Sequence, residues 1–140
     1  MKSKTYKFLD LFAGAGGLSE GFIRAGFTPI AHVESDKAAC FTLQTRLARH
    51  WLKFQGQDNH YTDYLRGKIS RDKLYELIPP SQLNSVINTE IRDTSLTQIF
   101  QQIDAHLGRN KLDLIIGGPP CQAYSVIAEV RTHYVKSSEG

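Results

Sequence analysis

The sequence is poor in cysteine, and its two cysteines, Cys40 and Cys121, stand far apart. That spacing predicts neither a disulfide framework nor a cysteine-based metal site. The chain also lacks an apolar run approaching the ~20 residues that cross a membrane, and no apolar stretch follows the charged start as a secretory signal would require. These absences favour a reducing, intracellular setting, and we expect a cytoplasmic protein, associated with the nucleoid if its source is bacterial.

Charge of one sign is not in large excess either. Seventeen basic and fourteen acidic residues give a net charge of +3, which is compatible with a nucleic-acid partner but is no argument for one. The five histidines show no ligand spacing, so no metal site is predicted. What is present is an ordinary globular composition, 41% hydrophobic and 22% charged, in 140 residues that suit a single domain.

A glycine- and proline-rich stretch at residues 117–125 follows a short apolar run at residues 112–116, which predicts a buried parallel strand. The two glycines permit close approach of a ligand or a neighbouring strand, and the two prolines stiffen the loop. Such a loop presents Cys121 at the carboxyl end of a strand, where ligands bind in open α/β sheets. Its thiol is therefore a candidate nucleophile, and a small buried hydrophobic residue is the alternative role.

The N-terminal residues predict a βαβ unit with a glycine-rich first turn. Its strand, turn, helix and second strand are expected at residues 7–12, 13–17, 18–25 and 27–33. Glu34 ends the second strand 20 positions after Gly14, as in the Rossmann arrangement, where such an acid accepts hydrogen bonds from ribose hydroxyls. Ser19 occupies the third glycine position of the dinucleotide-binding fingerprint, so that fingerprint is broken.

Strands and helices continue to alternate along the rest of the chain. Two helices, a third strand, a third helix and a fourth strand are expected at residues 37–51, 70–77, 85–88, 95–107 and 112–116. Asp36 or Ser35 can cap the first of these helices, Ser70 the second, and residues 95–98 have the pattern of a capping box. The alternation predicts an α/β fold with a parallel sheet in the order 3-2-1-4 and flanking helices.

Residues 52–84 are the least readable part of the sequence, and we expect an insertion on the scaffold there. This segment contains a group of aromatic and basic residues, Tyr61, Tyr64, Arg66, Lys68 and Arg71. A solvated surface is the favoured interpretation of that group, and contact with nucleic acid is the alternative.

Three separated motifs resemble, in order, those of the C5-cytosine-specific DNA methyltransferases. They are a first cofactor loop at residues 10–19, a ribose-binding strand end at 34–36 and a catalytic loop at 118–122. The pair Glu90-Ile91 lies where the family often has Asp-Ile facing the adenine. The resemblance implies a Rossmann-like methyltransferase fold with S-adenosyl-L-methionine as cofactor, and it identifies the chain as the N-terminal portion of the catalytic domain.

The resemblance also implies a set of cofactor-binding residues. They are Asp10, Phe12, Ala13, Gly14, Gly16, Gly17, Leu18, Glu34, Ser35, Glu90, Ile91, Gly118 and Pro120. Two of them depart from the family pattern. Glu90 is longer than the usual aspartate, and Ser35 lacks the aromatic ring that some members place against the adenine.

The implied reaction is methyl transfer to C5 of cytosine in double-stranded DNA, as in restriction–modification systems. The Cys121 thiolate would attack C6 and make C5 enamine-like, with the target base outside the duplex. Loss of the C5 proton would then release the cysteine.

By this resemblance, residues 1–126 form an incomplete cofactor-binding and catalytic subdomain, and residues 127–140 a mobile loop segment cut short. The family's later Glu-Asn-Val motif, its Gln-x-Arg-x-Arg strand and its target-recognition domain are not in the sequence. We therefore expect the chain to be inactive alone and to need a complementing C-terminal segment or subunit. Methylation of tRNA cytosine and a non-catalytic cofactor-binding module are the alternatives, and an NAD-dependent dehydrogenase fits least because of Ser19.

Overall fold

A computed structural model describes residues 4–119 of the chain. Its elements in chain order are β1 (Lys7–Leu11), α1 (Gly17–Arg24), β2 (Thr28–Glu34), α2 (Lys37–Phe54), α3 (Asp58–Leu65), α4 (Arg71–Glu76), α5 (Pro80–Leu83), β3 (Val86–Asn88), α6 (Leu96–Leu107) and β4 (Leu114–Gly117). Within these residues, no helix combines the length and the hydropathy that a membrane span requires.

The four strands form one parallel sheet in the order β3-β2-β1-β4, which confirms the predicted α/β topology. The chain steps outward from β1 to β3 and then returns to the other side of β1 for β4. Because the strands are parallel, all of them end at the same edge of the sheet. The loops that follow the strands therefore meet there, at the edge where open α/β sheets bind ligands.

Helices cover both faces of the sheet. The α6 face is filled by buried aliphatic side chains, Leu9, Ala31, Val33, Ile87, Ile99 and Ile103. The opposite face is covered by α1, which sets Phe22 against Phe8, and by α2, which packs Cys40 and Leu43 in a cluster with Val86. Cys40 is buried, as predicted for a core residue. Each large side chain buried in this way contributes about 1.5–3 kcal/mol to folding.

Two predicted helix starts are confirmed by their capping hydrogen bonds. Asp36 Oδ1 accepts from the N–H of Ala39 at 2.7 Å, at the start of α2. Ser70 Oγ accepts from the N–H of Lys73 at 3.2 Å, at the start of α4. Each bond satisfies one of the four N–H groups that a helix leaves without a partner at its first turn.

Residues 55–84 contain two helices that the sequence pattern did not predict, α3 and the four-residue α5. α3 is short, and the side that it turns toward α2 is formed by Tyr61 and Tyr64 rather than by an aliphatic stripe. α3 and α4 pack around a small buried cluster of Ala48, Leu52, Leu74 and Ile78, which extends the end of α2. Whether this helical segment is an insertion stays a prediction.

Two local predictions were wrong. Ser95 begins α6 without a capping box, because its backbone is already helical and its Oγ donates instead to the carbonyl oxygens of Glu90 and Arg92. The fourth strand starts at Leu114 rather than at residue 112, and it is not buried on both sides. It stands at an edge of the described sheet, where Ile115 is 58% exposed.

Candidate functional site

The ends of β1, β2 and β3 line a cleft at the carboxyl edge of the sheet. Its volume is about 170 Å³. The lining residues are Phe12, Val33, Glu34, Ser35, Thr89, Glu90 and Ile91. Five of these seven belong to the predicted cofactor set, and they come from three separate parts of the chain. Val33 and Thr89 were not predicted.

Glu34 links the glycine-rich turn to the end of β2. Its Oε2 accepts from the backbone N–H of Gly14 at 2.6 Å, and its Oε1 accepts from the N–H of Asp36 at 3.0 Å. Both oxygens are thereby fixed in place at the mouth of the cleft. A carboxylate oxygen has two acceptor positions, so each retains capacity for a ligand hydroxyl.

Phe12 adopts the left-handed backbone conformation, with φ at +58°, and within residues 4–119 it is the one non-glycine residue that does so. That conformation costs about 1–2 kcal/mol. The adjacent N–H of Ala13 donates to the carbonyl of Val33 at 3.0 Å, which fixes the turn as β1 ends. The strained turn makes Phe12 part of the cleft wall rather than a continuation of the strand.

Asp10 is a buried carboxylate with no hydrogen-bond donor in the described part of the chain. Only 1% of its surface is exposed, and neither oxygen has a partner there. Burial, together with the nearby charge of Glu34, raises the pKa of Asp10 to about 6. An orphaned carboxylate two residues before Phe12 is suited to a positively charged group at this edge of the sheet.

Ser19 has a structural role that explains why no glycine stands at that position. Its Oγ lies 2.6 Å from Nε2 of His32, and both side chains are buried between α1 and β2. Burial lowers the pKa of His32 to about 4, so the imidazole is neutral near pH 7. A glycine at residue 19, as the dinucleotide fingerprint requires, would leave Nε2 without this partner.

Two glycines allow close approach by neighbouring parts of the chain, a side chain at one and backbone at the other. At Gly16, φ is +88° and an added Cβ would stand 2.7 Å from Cδ2 of Leu43 on α2. At Gly117, the last residue of β4, an added Cβ would collide with the carbonyl oxygen of Leu11. Gly117 and Leu11 are register partners on neighbouring strands. The expected close approach therefore occurs at Gly117.

The remaining predicted residues lie around this edge in varied settings. Glu90 is half exposed, and its Oε2 forms an ion pair with Arg92 at 2.6 Å, so its carboxylate is held beside the cleft. Gly17 begins α1, and Leu18 after it is 51% exposed. Gly118 follows β4 and is exposed. Pro120 and Cys121, with the tail at residues 127–140, lie outside the described residues.

Asn88 is a site residue that sequence reasoning missed. Its side-chain amide donates to the carbonyl oxygens of Glu34 and Ser35, at 3.1 and 2.8 Å. The backbone N–H of Thr89 also donates to the carbonyl of Glu34. These contacts hold the end of β2 against β3, and the signal for them was a polar residue at the end of an apolar strand.

The sequence comparisons agree with this geometry. The profile of the family described as C-5 cytosine-specific DNA methylase matches residues 6–65. The type II methyltransferase M.Bpa9945I of Bacillus paralicheniformis is 38% identical over 88% of this chain and 32% of its own length. A putative type II methyltransferase of Methanocaldococcus jannaschii, M.MjaORF1200P, is 31% identical over 85% of this chain and 36% of its own length. No solved structure matches the chain significantly.

A parallel sheet of this order, with a glycine turn and an acid at the next strand end, is consistent with a Rossmann-like methyltransferase fold. Among proteins of that fold, the chain matches the C-5 cytosine-specific DNA methylase family over residues 6–65. It spans about a third of the length of these two relatives.

Proposed function

We propose that this chain is the cofactor-binding and nucleophile-bearing part of a DNA cytosine-5 methyltransferase. The observation that carries the proposal is the cleft in which Phe12, Ile91 and the fixed carboxylate of Glu34 meet at the carboxyl edge of the sheet. The match to the family supplies the proposed reaction class, which is transfer of a methyl group to C5 of cytosine in DNA.

The residues around the cleft fit S-adenosyl-L-methionine chemically. Glu34 would accept hydrogen bonds from ribose hydroxyls, and Phe12 and Ile91 offer apolar walls for an adenine ring. The orphaned carboxylate of Asp10 would favour the positively charged part of the cofactor. When bound, this cofactor supplies an electrophilic methyl group carried on a sulfonium.

Cys121 is the proposed nucleophile, and it lies two residues beyond the described part of the chain. The described part supports its position indirectly, because β4 ends at Gly117, at the same edge of the sheet as the cleft. Addition of the Cys121 thiolate to C6 of cytosine would make C5 nucleophilic, and later loss of the C5 proton would release the thiol. The target base has to leave the duplex to reach such a site.

We further propose that methyl transfer needs protein segments beyond these 140 residues, supplied by a longer polypeptide or by a complementing subunit. The proposal is supported by the length of the relatives, which extend well beyond the segment they share with this chain. Double-stranded DNA is the proposed substrate of the complete enzyme. Transfer of labelled methyl groups to DNA by this chain alone would contradict this part of the proposal.

Calorimetric titration with S-adenosylhomocysteine tests the cofactor site. We expect binding by the unaltered chain and about tenfold or greater weakening in Glu34→Gln, since hydrogen bonds to a charged acceptor are worth about 1.5–3 kcal/mol. Glu76→Gln is the matched control, because Glu76 is an exposed residue at the end of α4. A folded chain that does not bind, or equal affinities for Glu34→Gln and the unaltered chain, would contradict the proposal.

A further inference from the structure

A second, larger cleft lies away from the carboxyl edge, on the outer side of α2. Its volume is about 580 Å³, and it is bounded by α1, α2, α3 and α4. We call it the α2 groove and define it by six of its lining residues, Phe41, Arg46, Arg49, Tyr61, Tyr64 and Arg71. None of them touches the candidate cofactor cleft.

The α2 groove is strongly basic for a chain of such mild net charge. α2 itself carries four lysines and arginines and no aspartate or glutamate over its 18 residues. The one acidic residue that lines the groove is Glu20, and it is already engaged by Arg24 at 3.1 Å and by His50 at 2.8 Å. Glu20 also lies 4.0 Å from Arg46, so the three lining arginines exceed the one lining carboxylate and the groove carries net positive charge.

Aromatic rings hold two of the arginines in place. The guanidinium of Arg71 lies 3.7 Å from the ring centroid of Phe41, and that of Arg49 lies 5.6 Å from the ring centroid of Tyr61. Cation–π contacts of this kind leave N–H groups of a guanidinium able to donate. It also lowers the entropy that the side chains would lose on binding a partner.

The spacing of these groups suits a repeating anion. Phe41 and Arg49 are eight residues apart on α2, a rise of about 12 Å at 1.5 Å per residue. One strand of B-DNA advances about 3.4 Å per phosphate along the duplex axis, so about 12 Å along that axis covers about three or four phosphates. A guanidinium fork matches the geometry of phosphate oxygens, and the apolar and aromatic lining can contact sugars between them.

We propose that the α2 groove binds the phosphate backbone of a nucleic acid, independently of base sequence and of the cofactor cleft. This goes beyond the proposed methyl transfer, which needs only one extruded base at the carboxyl edge. It also revises the interpretation of the basic aromatic segment at residues 61–71. Tyr61, Tyr64 and Arg71 face the groove, whereas Lys68 is exposed and pairs with Asp63.

The test measures binding of the full chain to a fluorescent duplex of about 20 A·T base pairs, by anisotropy between about 50 and 200 mM salt. This duplex contains no cytosine, and no cofactor is added, so the result does not depend on the proposed function. We expect Arg49→Gln and Arg71→Gln each to weaken binding about three- to tenfold and to lower the salt slope by about one. Arg49→Lys and Arg71→Lys keep the charge and should retain the salt slope.

Arg109→Gln is the matched control, because it removes the same charge from an exposed position in the loop after α6, outside the α2 groove. Equal losses in Arg109→Gln and in the groove variants would overturn the proposal, since net charge alone would then explain binding. Unchanged binding in both groove variants would overturn it as well. If a poly-glutamate peptide competes as well as unlabelled duplex, the groove is a site for an acidic protein segment and the nucleic-acid assignment is wrong. Circular dichroism of each variant checks that it is folded.

Discussion

Gly14 donates its backbone N–H to Oε2 of Glu34 at 2.6 Å, so two residues 20 positions apart close one side of the cleft. The same carboxylate accepts from Asp36 through its other oxygen. Glu34 thus organises the protein before any ligand arrives, because it joins the turn after β1 to the end of β2. Its role in folding and its proposed role toward a ribose can be separated by mutation.

Glu34→Ala should destabilise the fold by about 1–3 kcal/mol, because the partly buried N–H of Gly14 and the exposed N–H of Asp36 lose their acceptor. Glu34→Gln keeps an acceptor oxygen, so its free energy of unfolding should fall less than that of Glu34→Ala. Urea unfolding measures both, with Glu76→Ala as an exposed control expected within about 0.5 kcal/mol of the unaltered chain. Equal stability of Glu34→Ala and the control would show that these bonds contribute nothing to the fold.

Asp10→Asn should stabilise the ligand-free chain above pH 6. The folded pKa of Asp10 is about 6 and its ordinary value is 3.8, so the folded state holds the proton longer than the unfolded state does. The protonated form of Asp10 contributes up to about 3 kcal/mol to the free energy of unfolding. This contribution is complete below about pH 4 and is lost as the pH rises through 6. Unfolding free energies of both chains between pH 4 and 7 test this, and parallel profiles would contradict it.

His32 should change the pH dependence of stability in the opposite direction to Asp10, over nearly the same pH interval. Its pKa falls from 6.5 to about 4 on folding, so stability is complete above pH 6.5 and is lost as the pH falls through 4. The two dependences offset each other in the unaltered chain. We expect a steeper rise of stability with pH in Asp10→Asn than in the unaltered chain, and a fall with pH in His32→Gln. A His32→Gln chain whose stability still rises from pH 4 to 6 would contradict this assignment.

Asn88→Ala should weaken binding of S-adenosylhomocysteine several-fold, because the carbonyls of Glu34 and Ser35 lose the amide that holds them. The matched control is Asn110→Ala, whose side chain makes one local bond to the carbonyl of Leu107. In calorimetry, Asn110→Ala should bind S-adenosylhomocysteine with an affinity close to that of the unaltered chain. A general loss of stability without a change in affinity would assign Asn88 to folding alone.

Gly117→Ala should lower the unfolding free energy by more than about 2 kcal/mol, since a methyl group cannot fit against the Leu11 carbonyl unless the strands move. Gly118→Ala is the control, because no described atom lies within 4 Å of its added Cβ. Thermal unfolding compares the two. Equal melting temperatures would contradict the prediction, because they would mean that β4 can shift away from Leu11 with little loss of free energy.

The sequence was sufficient to predict the parallel sheet, its strand order and the meeting of the glycine turn with Glu34, because these follow from local periodicity and from one spacing. It was not sufficient for α3. The side of α3 that packs on α2 is formed by Tyr61 and Tyr64, and their packing role is apparent only in the folded structure. Asn88 was missed for a related reason, since its partners depend on how β3 aligns with β2. The α2 groove likewise exists only once α3 and α4 fold back onto α2.

The close approach of Gly117 to Leu11 also restricts the register of β4 against β1. Parallel strands without a fixed mark can slip, and a slip of one residue moves everything that follows by about 3.3 Å and reverses which side chains face each side. A residue other than glycine opposite the Leu11 carbonyl would collide with it, so β4 cannot place Leu114, Ile115 or Ile116 there. The position of the loop after β4 relative to the cleft therefore depends on the absence of a side chain at residue 117.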